Sequence, residues 1–383
     1  MVLLLLVFAC RGPAPPPARP AVRCAAQGPF LDAPVEAAPA AWAARRLAEV
    51  DVLALGEFHG LAPQIRLVSD VLLAASEAGL ALDLGAELLP ASRQAQLDGM
   101  TSAARWDEGP WAEVVAGRPL LGPLALADYL GPVEAAWRAS RAVPVRVVGL
   151  SPPCDFASAG DAEGAVACLD DREAFMADRA DDLVLKRGRK LVLSAGFNHT
   201  SRVAPPDAQG QGPTALARLA EGRRALSLLL AGPVSQGADG GWRTVCAGLL
   251  DAVGAARGGA PFAVDLRVPP WDALDLSCVG HPPGSGPLSE AFDGILWLGD
   301  PAASPPPTPL PPAFFEAVGQ GALGQWNRFE VELQGAPAGH LAQGADVWAG
   351  AAQAEAARYA ALPITPPACE APPLAPGKPL QVE

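Results

Sequence analysis

The sequence predicts an α/β fold, a mainly parallel sheet flanked by helices on both faces, with a helical insertion and Pro-rich terminal segments. Two observations point there. Two short apolar runs, Val52 to Leu55 and Leu80 to Leu84, fill both faces of a strand. Buried parallel strands read this way, because neither face meets water. Between them Ile65, Val68, Val71, Leu72 and Ala75 recur at helical spacing, and Gly79 stands where a helix C-cap is needed. Strand, helix, strand is the unit from which such sheets are built.

The other elements follow in order. Val35 to Glu49, with Trp42 and Leu47, reads as a helix leading into the first strand. Residues 90–100 read as a short helix after Glu87. Residues 101–125, with Trp106 and Trp111 among Pro breaks, read as a lid or insertion over the sheet edge. Leu126 to Arg141 is helical, with Tyr129, Val133 and Trp137 on one face. Val145 to Leu150 is a third strand, Lys190 to Ala195 a fourth, Ala225 to Leu230 a fifth and Phe292 to Leu298 a sixth. Asp170 to Lys186 is a helix whose acidic first turn suits the macrodipole. A last helix covers Ala345 to Ala361, within a Pro-rich tail.

The chain of 383 residues divides into four parts. Residues 1–10 form an apolar signal-like run ending at Ala9-Cys10, too short to span a membrane. A small residue followed by Cys resembles a bacterial lipobox, so Cys10 is the expected lipidation site. Residues 11–34 form a Pro/Ala-rich tether, residues 35–300 the α/β domain, and residues 301–383 a Pro-rich and helical C-terminal extension. The formal charge of −13 argues against nucleic acid as a partner, since no basic face neutralises phosphates. With Cys10 lipidated, Cys24, Cys154, Cys168, Cys246, Cys278 and Cys369 remain. An even number in an exported protein permits disulfides. Cys154 and Cys168 are the first candidate pair, and buried free thiols are the alternative.

The chemistry-bearing residues sit at strand ends. Glu57 and His59 follow the first strand, Glu87 the second and His199 the fourth. In open α/β sheets ligands bind outside the carboxyl ends of the strands. Two carboxylates and two imidazoles admit three chemistries. A Glu–His pair activates water as general base while the second pair positions substrate or stabilises an oxyanion. His and Glu ligate a divalent metal with one position open. Or His or Tyr reaches a haem iron. A lone Glu or His after a strand is more often structural, so the weight rests on the four together. His281 and His340 lie in loops without sequence partners. There is no GxSxG, no GxxxxGK[ST] and no HExxH, which removes the usual serine hydrolase, P-loop and zincin readings.

Four stretches, LALGEFHG, GAELLPASRQAQLDGM, DREAFMADRADDLV and KLVLSAGFNHTSR, together resemble the ChaN-like haem-binding uptake proteins of the Tiki superfamily, which also holds the erythromycin-esterase-like proteins. The matching positions are Glu57 with His59, Glu87, Arg172 with Met176 and Ala177, and Gly196 with His199. The resemblance spans roughly residues 45–205. It implies an α/β fold. For ChaN-like members it implies a lipoprotein of haem or iron acquisition, with a Tyr ligand to haem; Tyr129 and Tyr359 are the two tyrosines available. For esterase-like members it implies lactone hydrolysis by Glu and His without an obligatory metal, and for Tiki-type members a metal-dependent protease.

The first expectation is therefore a lipid-anchored envelope protein binding haem or an iron-bearing small molecule. His59, His199 and Tyr129 would be ligands, and Trp106, Trp111 or Tyr129 would line the pocket. The second is a hydrolase of ester, lactone or amide bonds using Glu57, His59, Glu87, His199 and Arg172. There His59 or Glu57 activates water, Glu87 orients the imidazole and His199 assists the oxyanion. The metal variant uses Glu57, His59, Glu87 and His199 as ligands. A decayed site in an envelope scaffold is the third. Expected partners are the membrane, through the anchor, and a small-molecule ligand; the sequence also admits a homodimer.

Overall fold

The computed structural model describes residues 28–117, 126–153, 169–204, 212–236, 242–300, 304–319 and 345–360. Cys10, the tether up to residue 27 and the Cys154–Cys168 pair lie outside the described residues. The strands are β1 (Val52–Glu57), β2 (Leu82–Pro90), β3 (Val145–Ser151), β4 (Lys190–Gly196), β5 (Ala225–Leu230), β6 (Pro233–Gln236), β7 (Trp242–Thr244), β8 (Phe262–Asp265) and β9 (Gly294–Trp297). Seven of them form one sheet in the order β3-β2-β4-β1-β5-β9-β8. Every pairing is parallel except β8 with β9, and β6 pairs with β7 as a separate antiparallel ribbon. The expected α/β architecture is present.

The central strand β1 shows why its sequence is apolar throughout. All six residues are buried. Leu53 and Leu55 pack with Val68, Val71 and Leu72 of helix Ala62–Glu77 and with Val133 of helix Leu130–Ala139. Val52 and Ala54 pack with Met176, Ala177 and Ala180 of helix Arg172–Leu183. Successive side chains thus enter two different cores, one on each face, and each buried Leu contributes about 1.5–3 kcal/mol. Helix Ala62–Glu77 ends at Gly79, whose φ of +76° is the left-handed conformation expected of it.

Several expectations are corrected. β2 does not stop at its acid: it runs to Pro90 and carries Glu87 inside the strand. It pairs with β4 only as far as Ala86 and with β3 up to Pro90, so Glu87 still lies at the carboxyl edge, beside the end of β4. The edge strand β8 and the β6–β7 ribbon are too short to leave a sequence pattern. Trp111 does not line a lid; it is fully buried in the core, in helix Trp111–Ala116. Trp106 packs on Trp137, with ring centroids 5.8 Å apart. Beyond residue 300, Leu310, Phe315 and Trp348 enter the same core as Leu53 and Leu55. Cys246 and Cys278 form a disulfide.

One glycine controls how the site is assembled. A Cβ at Gly56 would lie 2.3 Å from Thr200 Oγ1 and 3.1 Å from the Phe197 Cα. Only a residue without a side chain lets the turn Phe197–Thr200, which carries His199, lie against β1.

Candidate functional site

Glu57 is the last residue of β1 and is buried. Its Oε1 accepts from His59 Nδ1 at 2.8 Å and from the Tyr129 hydroxyl at 3.0 Å. The same Tyr129 oxygen accepts the Gly60 N–H at 3.0 Å. Gln64, in the first turn of the next helix, accepts from Phe58 N at 2.7 Å and donates to the carbonyls of Leu230 and Ala231. The loop that presents His59 is thus pinned from three sides. A carboxylate on Nδ1 selects the tautomer that leaves Nε2 for chemistry. The His59 side chain remains 28% exposed.

Glu87 approaches from β2. Its Oε2 accepts the backbone N–H of Gly196 at 2.7 Å and stands 3.7 Å from His59 Nε2, beyond direct hydrogen-bond reach. Its Oε1 lies 3.1 Å from His199 Nε2. His199 Nδ1 is bonded in turn to Glu173 Oε1, and Glu173 Oε2 accepts from Ala215 N at 2.7 Å. Arg172 is 4.0 Å from both Glu87 and Glu173, with its side chain 38% exposed and no hydrogen bond to a described residue. Strand β4 ends between the two halves. A Cβ at Gly196 would lie 3.2 Å from His59 Nε2 and 3.5 Å from Glu87 Oε2. Glycine there leaves the space that both groups face.

The charges are set by burial working against pairing. Burial pulls the His59 imidazole down, but the hydrogen bond to Glu57 and the charges of Glu87 and Glu57 outweigh it, and the net direction is up. Burial likewise opposes charge on His199, yet the Glu87 charge and the hydrogen bonds to Glu173 and Glu87 raise it to about 9. Burial would push Glu87 up, whereas His199, His59 and Arg172 hold it well below the ordinary carboxylate value. At neutral pH the site therefore holds an ionised Glu87 against a protonated His199.

The structure brings Glu57, His59, Glu87 and His199 together at one sheet edge, as their strand-end positions suggest, and adds Arg172 from the start of helix Arg172–Leu183. Their arrangement corrects three expectations. Glu57, not Glu87, orients the His59 ring. His199 has both ring nitrogens on carboxylates, so it offers no free donor to an oxyanion. Tyr129 is a clamp on Glu57 and Gly60 rather than an open ligand. Glu173 was missed, because an acid in a first helical turn reads as a macrodipole residue. A small pocket of about 20 Å³ lies beside Glu57, lined by Ser194, Tyr129, Val133 and Leu88.

Neither metal nor haem fits these residues well. Both ring nitrogens of His199 are taken up by carboxylates, Nδ1 by Glu173 and Nε2 by Glu87, so neither is turned towards a shared metal position. Among the described residues no group of three or more His, Cys, Asp or Glu side chains is placed to hold a metal ion. In a haem ligand set of His59, His199 and Tyr129 two members are already engaged: both His199 ring nitrogens meet carboxylates, and the Tyr129 oxygen is buried between Glu57 and Gly60.

No family model matches the sequence, and no curated protein matches it. Solved structures do. Cofacially haem-bound ChaN of Campylobacter jejuni is 14% identical, covering 49% of this chain and 84% of that one, with a TM-score of 0.33. A protein from Bacillus cereus is 13% identical over 66% of this chain and 89% of its own, with a TM-score of 0.44. A mutant of erythromycin esterase EreC in its open conformation is 13% identical over 66% of this chain and 91% of its own, with a TM-score of 0.42. Likenesses at this level assign no substrate, so function has to be read from the site itself.

Proposed function

We propose that this chain is a hydrolase of ester, lactone or amide bonds that activates water with His59. One observation carries the reading. His59 Nε2 and Glu87 Oε2 stand 3.7 Å apart over the Gly196 end of β4. At that separation one water at about 2.8 Å from each would bridge the two acceptors. Glu57 fixes the ring, so Nε2 is the atom that takes the proton. Glu87 is held too acidic to compete for it. As the water oxygen bonds to the substrate carbonyl carbon, its proton passes to Nε2. The carbonyl electron pair moves onto oxygen, where the exposed Arg172 guanidinium offers unspent donors. Collapse breaks the bond to the leaving group, which takes the proton back from His59.

The Ala9-Cys10 pattern supports adding a lipid anchor and an envelope location to this proposal. Cys10→Ser then moves the protein from the membrane to the soluble fraction; unchanged partitioning rejects the anchor. The activity is tested by incubating purified protein with a panel of p-nitrophenyl esters, lactones and anilides. Turnover that disappears with His59→Asn at an unchanged melting temperature supports the reading. No turnover of any member rejects it.

A further inference from the structure

We infer that Glu173 is a positioning residue of this site: it holds His199 in the orientation that presents Nε2 to Glu87, and so fixes the Glu87 oxygen that faces the attacking water. The inference rests on the hydrolase reading above for its catalytic consequence, and on the geometry alone for the Glu173–His199 unit.

Four links run in sequence from Ala215 to His59. The Ala215 backbone N–H donates to Glu173 Oε2 at 2.7 Å. Glu173 Oε1 is bonded to His199 Nδ1. His199 Nε2 meets Glu87 Oε1 at 3.1 Å. Glu87 Oε2, occupied on one side by Gly196 N, turns its other side towards His59 Nε2. Each link fixes the next. Glu173 itself is braced from two directions, by its own helix Arg172–Leu183 and by the start of helix Ala215–Leu219. Arg172 cannot replace it, because a guanidinium has no acceptor for His199.

Both partners of Glu173 are donors, and this makes the residue type decisive. A carboxylate accepts from the His199 ring and from Ala215 N at once. An amide of the same size accepts from one and points its NH₂ at the other. Glu173→Gln therefore breaks one of the two links while preserving volume and helix. A purely structural role, favourable charge at a helix N-terminus, would lower the melting temperature but would not separate kcat from KM.

The test uses the full chain as Glu173→Gln, His199→Asn and the double variant, assayed on an ester taken from the panel. Glu173→Gln is expected to lower kcat by about 10- to 100-fold, the usual cost of losing a residue that orients a reactive one, with KM within about threefold. The double variant is expected to be no slower than His199→Asn alone, because Glu173 acts through His199. A Glu173→Gln kcat within about twofold of wild type overturns the proposal, as does a double-variant loss equal to the product of the single losses. Proton NMR in water tests the unit without turnover. A downfield imidazole N–H resonance is expected in wild type, absent in His199→Asn and lost or moved upfield in Glu173→Gln. An unchanged resonance in Glu173→Gln overturns the proposal. If the wild type hydrolyses nothing, the hydrolase reading fails, and the resonance still decides whether Glu173 positions His199.

Discussion

Glu57 and Glu87 reach His59 from opposite faces of the same sheet. Glu57 is held from the side covered by helices Ala62–Glu77 and Leu130–Ala139, through Tyr129. Glu87 is held from the side covered by helix Arg172–Leu183, through His199. His59 passes over the end of β4 between them, 2.8 Å from one carboxylate and 3.7 Å from the other. The short contact orients the ring, and the longer one leaves room for a water. One Glu is thus an orienter and the other a partner of the nucleophile.

Glu57→Gln tests the orienting role. The amide keeps the volume and still accepts from Tyr129, so the melting temperature should stay within a few degrees. Loss of the tautomer-setting charge should lower kcat on the ester panel by roughly 10²- to 10⁴-fold. Loss of folding in this variant would show that Glu57 is mainly structural.

Gly196→Ala tests the water site sterically. Gly196 has an ordinary backbone, so alanine adds no strain there, but its methyl would sit 3.2 Å from His59 Nε2 and 3.5 Å from Glu87 Oε2. The expected outcome is a protein folded by circular dichroism with little or no turnover. Full activity would place the water elsewhere.

The pH dependence follows from the two imidazoles. His59 works as a base only when deprotonated, and its folded value is raised above the ordinary 6.5. The acid limb of kcat/KM should therefore lie above pH 6.5, with rate rising as pH climbs through it. A limb at pH 6 or lower would remove His59 as the base.

Stability should move the other way. His199 is raised to about 9 in the folded state. Its contribution is complete below the unfolded value near 6.5 and is lost as pH rises through about 9. The shift corresponds to on the order of 3 kcal/mol. Urea unfolding between pH 6 and 10 should show that decline, and His199→Asn should flatten it.

Tyr129→Phe leaves Gly60 N and Glu57 Oε1 each short of one partner in a buried setting. The expected loss of stability is about 1–3 kcal/mol by urea unfolding. Hemin added to wild type should give no Soret shift that Tyr129→Phe changes. A Soret band abolished by that substitution would restore Tyr129 as a haem ligand.

Much of this was legible in the sequence, for identifiable reasons. The strands β1 to β5 stood out because each is buried on both faces, which makes its apolar run unbroken. Glu57, His59, Glu87 and His199 stood out because a charged or imidazole side chain directly after such a run has nowhere to go but the sheet edge. The continuation of β2 through Glu87 was hidden: an acid normally ends a buried strand, and here Gly196 N and His199 satisfy it. Glu173 was hidden by a second explanation for its presence, the helix dipole. The clamp from Tyr129 depends on residues 72 apart in the chain, and no local pattern encodes such a contact. Trp111 looked like a lid residue because its flanking Pro and Gly read as a loop, whereas tertiary packing buries it.

The most direct measurement is steady-state hydrolysis of the ester panel by wild type and His59→Asn, with melting temperatures determined on the same samples. At matched stability, the account expects measurable kcat for wild type and a fall of about 10²-fold or more for His59→Asn. Equal rates for the two proteins, or none for either, would contradict a water-activating His59.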